Sequence, residues 1–358
     1  MKPQDPVKKP RITLKLVADR AGVHASTASR ALNPATRSMV LPSVAQKVLD
    51  AAEELRYRPD PVAASLRTGR SKLAAILVPD ISNSVFAPIL SGASERLATE
   101  GYTVIVADVG SDKDKQLNIA SGLMARRVDG FILATVSKDD PLVAFCLEQN
   151  IPAVLVNRAE AQSRLSSVVS DDELGMQMAV DHLAGLGHKV IGHIAGPTQH
   201  STGYLRRRGF VRAMAKHDLS ETSPCQIAKS YSRQEGAQAA RKLLDAHPQA
   251  TAIVAANDLL ALGVYDVFRE RGIKCPVDIS VVGHNDMQLV DMIEPPLTTI
   301  HVDHHEMGQQ SAELLRELIE SPDKAKHNVT LQPTLIVRLS TAAPRKPVKS
   351  PMWEKSQT

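Results

Sequence analysis

The sequence predicts an α/β protein. It combines an N-terminal helix-turn-helix three-helix domain, a hinge helix and a larger core of doubly wound parallel sheets. Three observations predict this: helical apolar spacing near the N-terminus, apolar runs alternating with helical stretches from residue 73 onward, and an uneven distribution of charge. Residues 1–70 hold 13 Lys or Arg against 6 Asp or Glu, whereas the rest of the 358-residue chain holds 30 against 33. A basic head on a mildly acidic body points to a polyanion that only the head contacts, although a solvated basic tail is the alternative.

Two short helices joined by a glycine turn are predicted over residues 13–33, TLKLVADRAGVHASTASRALN. Thr13 is placed to cap the first helix, and Gly22 ends it. The first apolar face comprises Leu14, Val17, Ala18 and Ala21. The second comprises Ala28, Ala31 and Leu32. The polar face of the second helix carries Ser26, Thr27, Ser29, Arg30 and Asn33. Small outward side chains would let its backbone approach a DNA major groove.

A third helix and a short hinge helix are predicted next. The third helix begins at Pro42-Ser43, and its apolar stripe is Val44, Val48, Ala52 and Leu55. It closes a small core, which would also suit a structural bundle that binds no DNA. In the hinge, Asp60 is the N-cap, Pro61 the first helical residue and Gly69 the end. So short a helix is marginal in water, so we expect it to form only when something packs against it.

The head resembles the LacI/GalR family of bacterial regulators. The matching segments are ITLKLVADRAGVHASTASRALN, VLDAAEELRYRPD and AASLRTGRS, and the resemblance continues to about residue 340. It implies that the second helix reads the major groove. It also implies that the hinge helices of two subunits pair and wedge a leucine into the minor groove. His24 departs from the family pattern, which usually has a capping Ser there. The candidate DNA-binding residues are His24, Ala25, Ser26, Thr27, Ser29, Arg30, Asn33, Ala63 and Leu66.

The body is predicted to form two parallel-sheet lobes. Buried strands are indicated by apolar runs at 74–78, 103–106, 130–133, 153–156, 190–194, 252–255 and 279–282. The predicted boundaries are 11–59 for the DNA-binding domain, 60–70 for the hinge helix, 71–342 for the core and 343–358 for a disordered tail. Lobe one would span about 71–172 and 302–330, and lobe two about 173–300. The resemblance implies a core like a periplasmic sugar-binding protein, with a ligand between the lobes.

Four polar loops follow predicted strands, at 80–86, 196–206, 256–258 and 283–286. Ligands of such sheets bind beyond the carboxyl ends of the strands, although polar loops often follow strands without any ligand. By resemblance, the effector-binding candidates are Val85, Phe86, His200, Thr202, Arg206, Tyr231, Asn257 and Asn285.

Within this set, the aromatic side chains would contact a ring or apolar face. Thr202, Arg206 and Asn285 would hydrogen-bond the ligand, and Asn257 is either a cleft residue or a helix cap. Asn285 stands where the family commonly has Asp, so with Arg206 it favours an anionic ligand such as a sugar acid.

These features predict a sequence-specific transcriptional regulator, a repressor, that binds double-stranded operator DNA as a homodimer and responds to a small-molecule effector. We expect no cofactor, no metal and no enzymatic activity. The three cysteines are well separated, and His301, His304 and His305 are read as surface histidines. No apolar run approaches bilayer length and the N-terminus lacks a signal pattern, so a cytoplasmic location is expected. The alternatives are a solute-binding protein of a transport system and an enzyme of sugar metabolism.

Overall fold

The computed structural model describes residues 12–33, 36–58, 65, 69–137, 140–220 and 223–345. The chain divides into two compact units between Ser71 and Lys72. The predicted hinge helix, including Ala63 and Leu66, lies outside the described residues apart from Ser65, Gly69 and Arg70, and so does the predicted tail beyond Arg345. At the predicted end of the hinge helix, Gly69 has a φ of 73° and donates its N–H to the Ser65 carbonyl at 2.8 Å.

The first unit contains the predicted three helices. They are α1 (Leu14–Ala21), α2 (Ala25–Leu32) and α3 (Pro42–Glu54), with a 3-10 turn at Arg37–Met39. The Thr13 hydroxyl accepts a hydrogen bond from the Leu16 N–H, and Gly22 ends α1 at a φ of 67°. The left-handed backbone at that position favours glycine, and it turns the chain into α2.

The apolar face of α3 differs in part from the predicted stripe. The side chains of α3 that are buried are Ala45, Val48, Ala51 and Ala52, whereas Val44 and Leu55 are only half-buried. They pack against Val17, Ala18, Ala28 and Ala31 of the other two helices. Small alanines on all three helices allow their backbones to approach closely, so the face with the smallest side chains is buried.

Over its described residues, the second unit has two six-stranded sheets. The strands of the first are β1 (Leu73–Val78), β2 (Thr103–Asp108), β3 (Gly130–Leu133), β4 (Ala153–Val156), β5 (Ser166–Ser170) and β11 (Asn328–Leu331). Their order is β11-β5-β4-β3-β1-β2, and all neighbours are parallel. Its helices are α4 (Phe86–Ala98), α5 (Lys113–Ala125), α6 (Pro141–Glu148) and α11 (His304–Glu320). We call this sheet with its helices lobe one.

The second sheet with its helices is lobe two. Its strands are β6 (Ile191–Ala195), β7 (Cys225–Ile227), β8 (Ala252–Ala255), β9 (Ser280–Asn285), β10 (Thr298–His301) and β12 (Thr334–Ile336). The order is β12-β10-β9-β8-β6-β7, and only β12 runs antiparallel to its neighbour. Its helices are α7 (Asp172–Gly185), α8 (Ser201–Lys216), α9 (Arg233–Ala246) and α10 (Asp258–Arg271).

The chain passes between the lobes three times. It enters lobe two at α7, returns to lobe one at α11 and β11, and crosses back at β12. Met307 and Leu315 of α11 are fully buried in the core of lobe one. His304 begins this helix and is itself buried, so the expectation that it is a surface histidine is wrong. Across the described ranges, no helix has the length and apolar character to cross a membrane.

Candidate DNA-binding helix and effector cleft

The outer face of α2 is polar and exposed. His24, Ser26 and Arg30 are exposed, while Ala28 and Ala31 on the opposite face are fully buried. Within the part of the chain that the structure describes, the Arg30 side chain makes no ion pair. The remaining candidates in this region are half-buried: Ala25, Thr27, Ser29 and Asn33.

His24 caps α2. Its Nδ1 accepts from the Ser26 N–H at 3.3 Å and lies 2.8 Å from the Ser26 hydroxyl oxygen. An imidazole nitrogen therefore takes the capping role for which the family pattern uses a serine hydroxyl. The same contact holds Ser26 at the exposed N-terminal end of α2. The N-terminal residues of a recognition helix are the ones that contact base edges in the major groove.

Seven of the eight predicted effector residues line one cleft between the two lobes. They are Val85, Phe86, Thr202, Arg206, Tyr231, Asn257 and Asn285, and the lining is completed by Asn83, Asn157 and Arg158. The space between these side chains is narrow and partly open to solvent. Each side chain lies at or beyond the carboxyl end of a parallel strand, or at the start of the helix that follows it.

The lobe-two wall of the cleft is built around Tyr231. Its ring packs on Gly196, where a β-carbon would lie 2.4 Å from the ring, so only glycine leaves room. The Tyr231 hydroxyl donates to the Thr202 hydroxyl oxygen at 3.2 Å. Asn257 both lines the cleft and caps α10, because its side-chain oxygen accepts from the Leu260 N–H at 2.9 Å. The two roles predicted as alternatives for Asn257 therefore coexist.

Arg206 is held by a carboxylate inside the protein. Its Nε donates to an oxygen of Asp172 at 2.7 Å and its Nη1 to the Ala256 carbonyl at 2.7 Å. Both members of the pair are only 4% exposed. Burial alone would lower the pKa of Arg206, but the Asp172 carboxylate raises it, so the guanidinium stays charged. Its charge is thus balanced within the protein.

The sequence analysis included Asn83 in the 80–86 loop without naming it as an effector candidate, and it missed Asn157 and Arg158. Asn157 directly follows β4 with a φ of 64°, and the chain then turns so that the Arg158 N–H donates to the Val156 carbonyl at 2.7 Å. The next residue ties the lobes together, since the Ala159 N–H donates to the Ser201 hydroxyl at 3.1 Å. This loop follows a correctly predicted strand, so the strand-end rule that selected the other loops could have found it.

His200 is the predicted effector residue that does not line the cleft. It precedes α8 and is half-buried, and its Nδ1 has no hydrogen-bond partner in the described structure. Burial, together with the charges of Arg158 and Lys113, lowers the pKa of His200 to about 3. The imidazole is therefore neutral at physiological pH and lies in a positive field beside the cleft.

Two family models match the chain. Residues 13–60 match the model of bacterial regulatory proteins of the lacI family, and residues 180–341 match that of the periplasmic binding protein-like domain. The transcriptional regulator DegA of Bacillus subtilis (strain 168) is 32% identical over 335 residues, which cover 93% of this chain and 98% of DegA. The chain belongs to the lacI family. This membership confirms that it is a DNA-binding transcriptional regulator and not an enzyme.

Solved structures of lacI-family regulators have the same fold. The Lac repressor dimer bound to operator and the anti-inducer ONPF is 30% identical, with a TM-score of 0.83 and coverage of 93% of this chain and 99% of that one. The complex of the regulator CelR with cellobiose is 28% identical, with a TM-score of 0.70 and coverage of 92% and 100%. The predicted pair of lobes, with its periplasmic-binding-protein-like core, is thereby confirmed.

Proposed function

We propose that this lacI-family chain is a repressor that binds operator DNA as a homodimer and is controlled by a sugar or sugar acid in the cleft. The observation that carries the proposal is the convergence of seven predicted effector residues, from loops and helices of both lobes, on one polar cleft. A ligand that contacts both lobes at once stabilises one relative arrangement of them over another. Differential binding of this kind is what allows an effector to shift a conformational equilibrium.

The chemistry of the cleft suits a compact polyhydroxylated ligand. Its amide and hydroxyl groups can donate to and accept from sugar hydroxyls, and the buried Phe86 and the Tyr231 ring offer apolar faces. The CelR complex contains a sugar, cellobiose, which supports a carbohydrate-like effector for this chain as well.

For the DNA-binding face, we propose that α2 enters the major groove, with Arg30 and Ser26 nearest the base edges. The remaining predicted residues of the helix would position it against the backbone. The Lac repressor dimer on its operator supports dimeric binding. Binding to chromosomal operator DNA would place the protein in the cytoplasm.

The first experiment tests DNA binding with the DNA upstream of the protein's own gene. Arg30→Ala should cost about 1–3 kcal/mol of specific binding and relax the preference at one base pair, because a bidentate arginine contact discriminates by that amount. Gel shifts against wild type and systematic base changes would measure both effects. Arg126→Ala, an exposed arginine in the other unit, is the matched control and should bind as wild type does. Equal weakening by both substitutions would contradict the role of Arg30.

A further inference from the structure

The cleft contains two arginines with opposite surroundings. Among the residues that the structure describes, the ten that line it include Arg158 and Arg206 but no Asp or Glu. Arg206 forms a buried ion pair, as described above. Arg158 is 8% exposed, its Nε has no hydrogen-bond partner, and no described carboxylate forms an ion pair with it. Arg158 therefore brings an unbalanced positive charge into the cleft.

The carboxylate that acts electrostatically on Arg158 is already occupied. Asp140 influences Arg158 electrostatically, but its oxygens accept from the Lys113 ammonium at 2.7 Å, the Ser137 N–H at 2.8 Å and the Leu142 N–H at 3.0 Å. The other groups facing this side of the cleft are the Tyr231 hydroxyl and the neutral His200 ring. Within the described residues, no group beside Arg158 is free to supply a compensating negative charge.

An unpaired buried guanidinium is costly. Burial lowers the pKa of Arg158, yet arginine keeps its proton in proteins, so the guanidinium stays charged. Its desolvation costs free energy that no attraction to a carboxylate offsets. Such an arrangement is retained where a ligand supplies the missing charge. The guanidinium presents parallel N–H donors that match two oxygens of a carboxylate or phosphate.

We propose that the effector carries an anionic oxygen group, a carboxylate or a phosphate, that binds to Arg158 while its hydroxyl groups contact the asparagines of the cleft. This inference rests on the proposed function of the cleft as the effector site. It moves the anion-binding role from Arg206, which the sequence favoured, to the loop after β4. Arg206 instead anchors α8 to Asp172 of α7.

The test uses the full-length protein and matched ligand pairs. D-Gluconate, D-glucuronate and D-glucose 6-phosphate are compared with neutral D-sorbitol and D-glucose by titration calorimetry and thermal shift. We expect at least one acid to bind about 10-fold or more tightly than its neutral counterpart, since hydrogen bonds to charged groups are the stronger ones. Comparing the affinities of the two carboxylates with that of the phosphate ester then shows whether the anionic group is a carboxylate or a phosphate.

Substitutions of the arginines test whether Arg158 causes the preference for acids over neutral sugars. Arg158→Gln should weaken the acid at least about 10-fold and leave the neutral sugar nearly unchanged, and Arg158→Lys should be intermediate because it keeps charge but loses the fork. Without ligand, Arg158→Gln should melt at or above the wild-type temperature, whereas Arg206→Gln should melt lower because it leaves Asp172 buried and unpaired.

The outcomes separate this inference from the proposed function. Neutral sugars that bind in the cleft more tightly than all three acids would overturn the anionic-group inference and leave the proposed function standing. Equal acid affinity for wild type and Arg158→Gln would also overturn it. Binding by none of the five compounds would contradict both. A lower melting temperature for ligand-free Arg158→Gln, matching that of Arg206→Gln, would show that Arg158 is structural and would overturn the inference too.

Discussion

At the scale of single residues, Asp258 is a buried acid that joins three elements of lobe two. It begins α10 and is fully buried. One carboxylate oxygen accepts from the Thr299 hydroxyl of β10 at 2.6 Å, and the other from the Met287 N–H after β9 at 2.8 Å. Burial raises the pKa of Asp258 to about 7, although these hydrogen bonds oppose the shift.

The raised pKa makes stability depend on pH. The folded chain keeps the Asp258 proton up to about pH 7, whereas the unfolded chain releases it near its ordinary value of 3.8, so stability falls as pH rises between these values. From pH 5 to pH 8 we expect a loss of about 2–3 kcal/mol in wild type relative to Asp258→Asn, which cannot ionise. Denaturant unfolding of both proteins at several pH values measures the difference. Parallel stability curves for the two would refute the assignment.

The limits of sequence reasoning are also clearest at single residues. Phe86, Thr202 and Asn285 were named by resemblance to the family, and each lies in a loop that follows a strand located by the apolar pattern. The state of Arg206 was not predictable, because its partner Asp172 lies 34 positions away and meets it only when α7 packs on α8. The difference between a balanced and an unbalanced arginine belongs to tertiary structure.

At the scale of elements, the contact between α4 and α11 depends on two glycines. A β-carbon on Gly92 would lie 2.1 Å from the His305 carbonyl oxygen, and one on Gly308 would lie 2.2 Å from that of Ile89. Each glycine therefore admits the backbone of the opposite helix. This contact holds α11 on lobe one after the chain has returned from lobe two.

Gly308→Ala should accordingly destabilise the protein by about 1–3 kcal/mol, because the methyl group forces the two backbones apart. The control is Gly185→Ala at the end of α7, where a β-carbon would meet nothing within 4 Å. That variant should be neutral or slightly stabilised, since alanine favours the helix. Denaturant midpoints for the two variants measure the effect, and similar midpoints would contradict the close-approach argument.

The hinge helix is expected to contribute to operator binding through Leu66. Leu66→Ala should weaken operator binding strongly and leave binding to random DNA nearly intact. An apolar wedge acts by deforming specific DNA, whereas non-specific affinity comes from phosphate contacts. Paired titrations of operator and random duplexes at one salt concentration measure both. Equal losses on the two duplexes would exclude the wedge.

Strands were predictable where their residues form a continuous apolar run. The runs at 130–133, 153–156 and 252–255 coincide with β3, β4 and β8, in which every residue is buried. The strands β7, β11 and β12 were missed because they are short edge strands with half-exposed side chains, which give no continuous apolar signal. The strands β5 and β10 were also missed although they are largely buried, because serine and threonine interrupt their apolar residues. In α3, the pattern located the helix but not the exact buried face.

At the scale of the whole molecule, three chain crossings join the two lobes. α7, α11 and β12 each begin just after the chain has changed lobe, so three connections join the lobes and any change in their relative arrangement would take place about these connections. Cleft residues from both lobes would sense that arrangement. An effector changes the affinity for DNA only if it binds one arrangement of the lobes more tightly than the other. The ratio of these two affinities limits how far the effector can shift DNA binding.

Operator binding is expected to need two copies of the chain. A single short helix-turn-helix gives few base contacts, since Ala25 and Ser26 are small and Arg30 is the one long cation on the outer face of α2. Two copies related by a two-fold axis double those contacts and require half-sites of matching symmetry. Footprinting and sedimentation should therefore show a near-palindromic operator bound by one dimer.

Moving one half-site by five base pairs, half a helical turn, should abolish tight binding, because the second α2 would then face the wrong side of the duplex. Protection of one asymmetric half-site by a monomer, or indifference to the spacing, would contradict this arrangement.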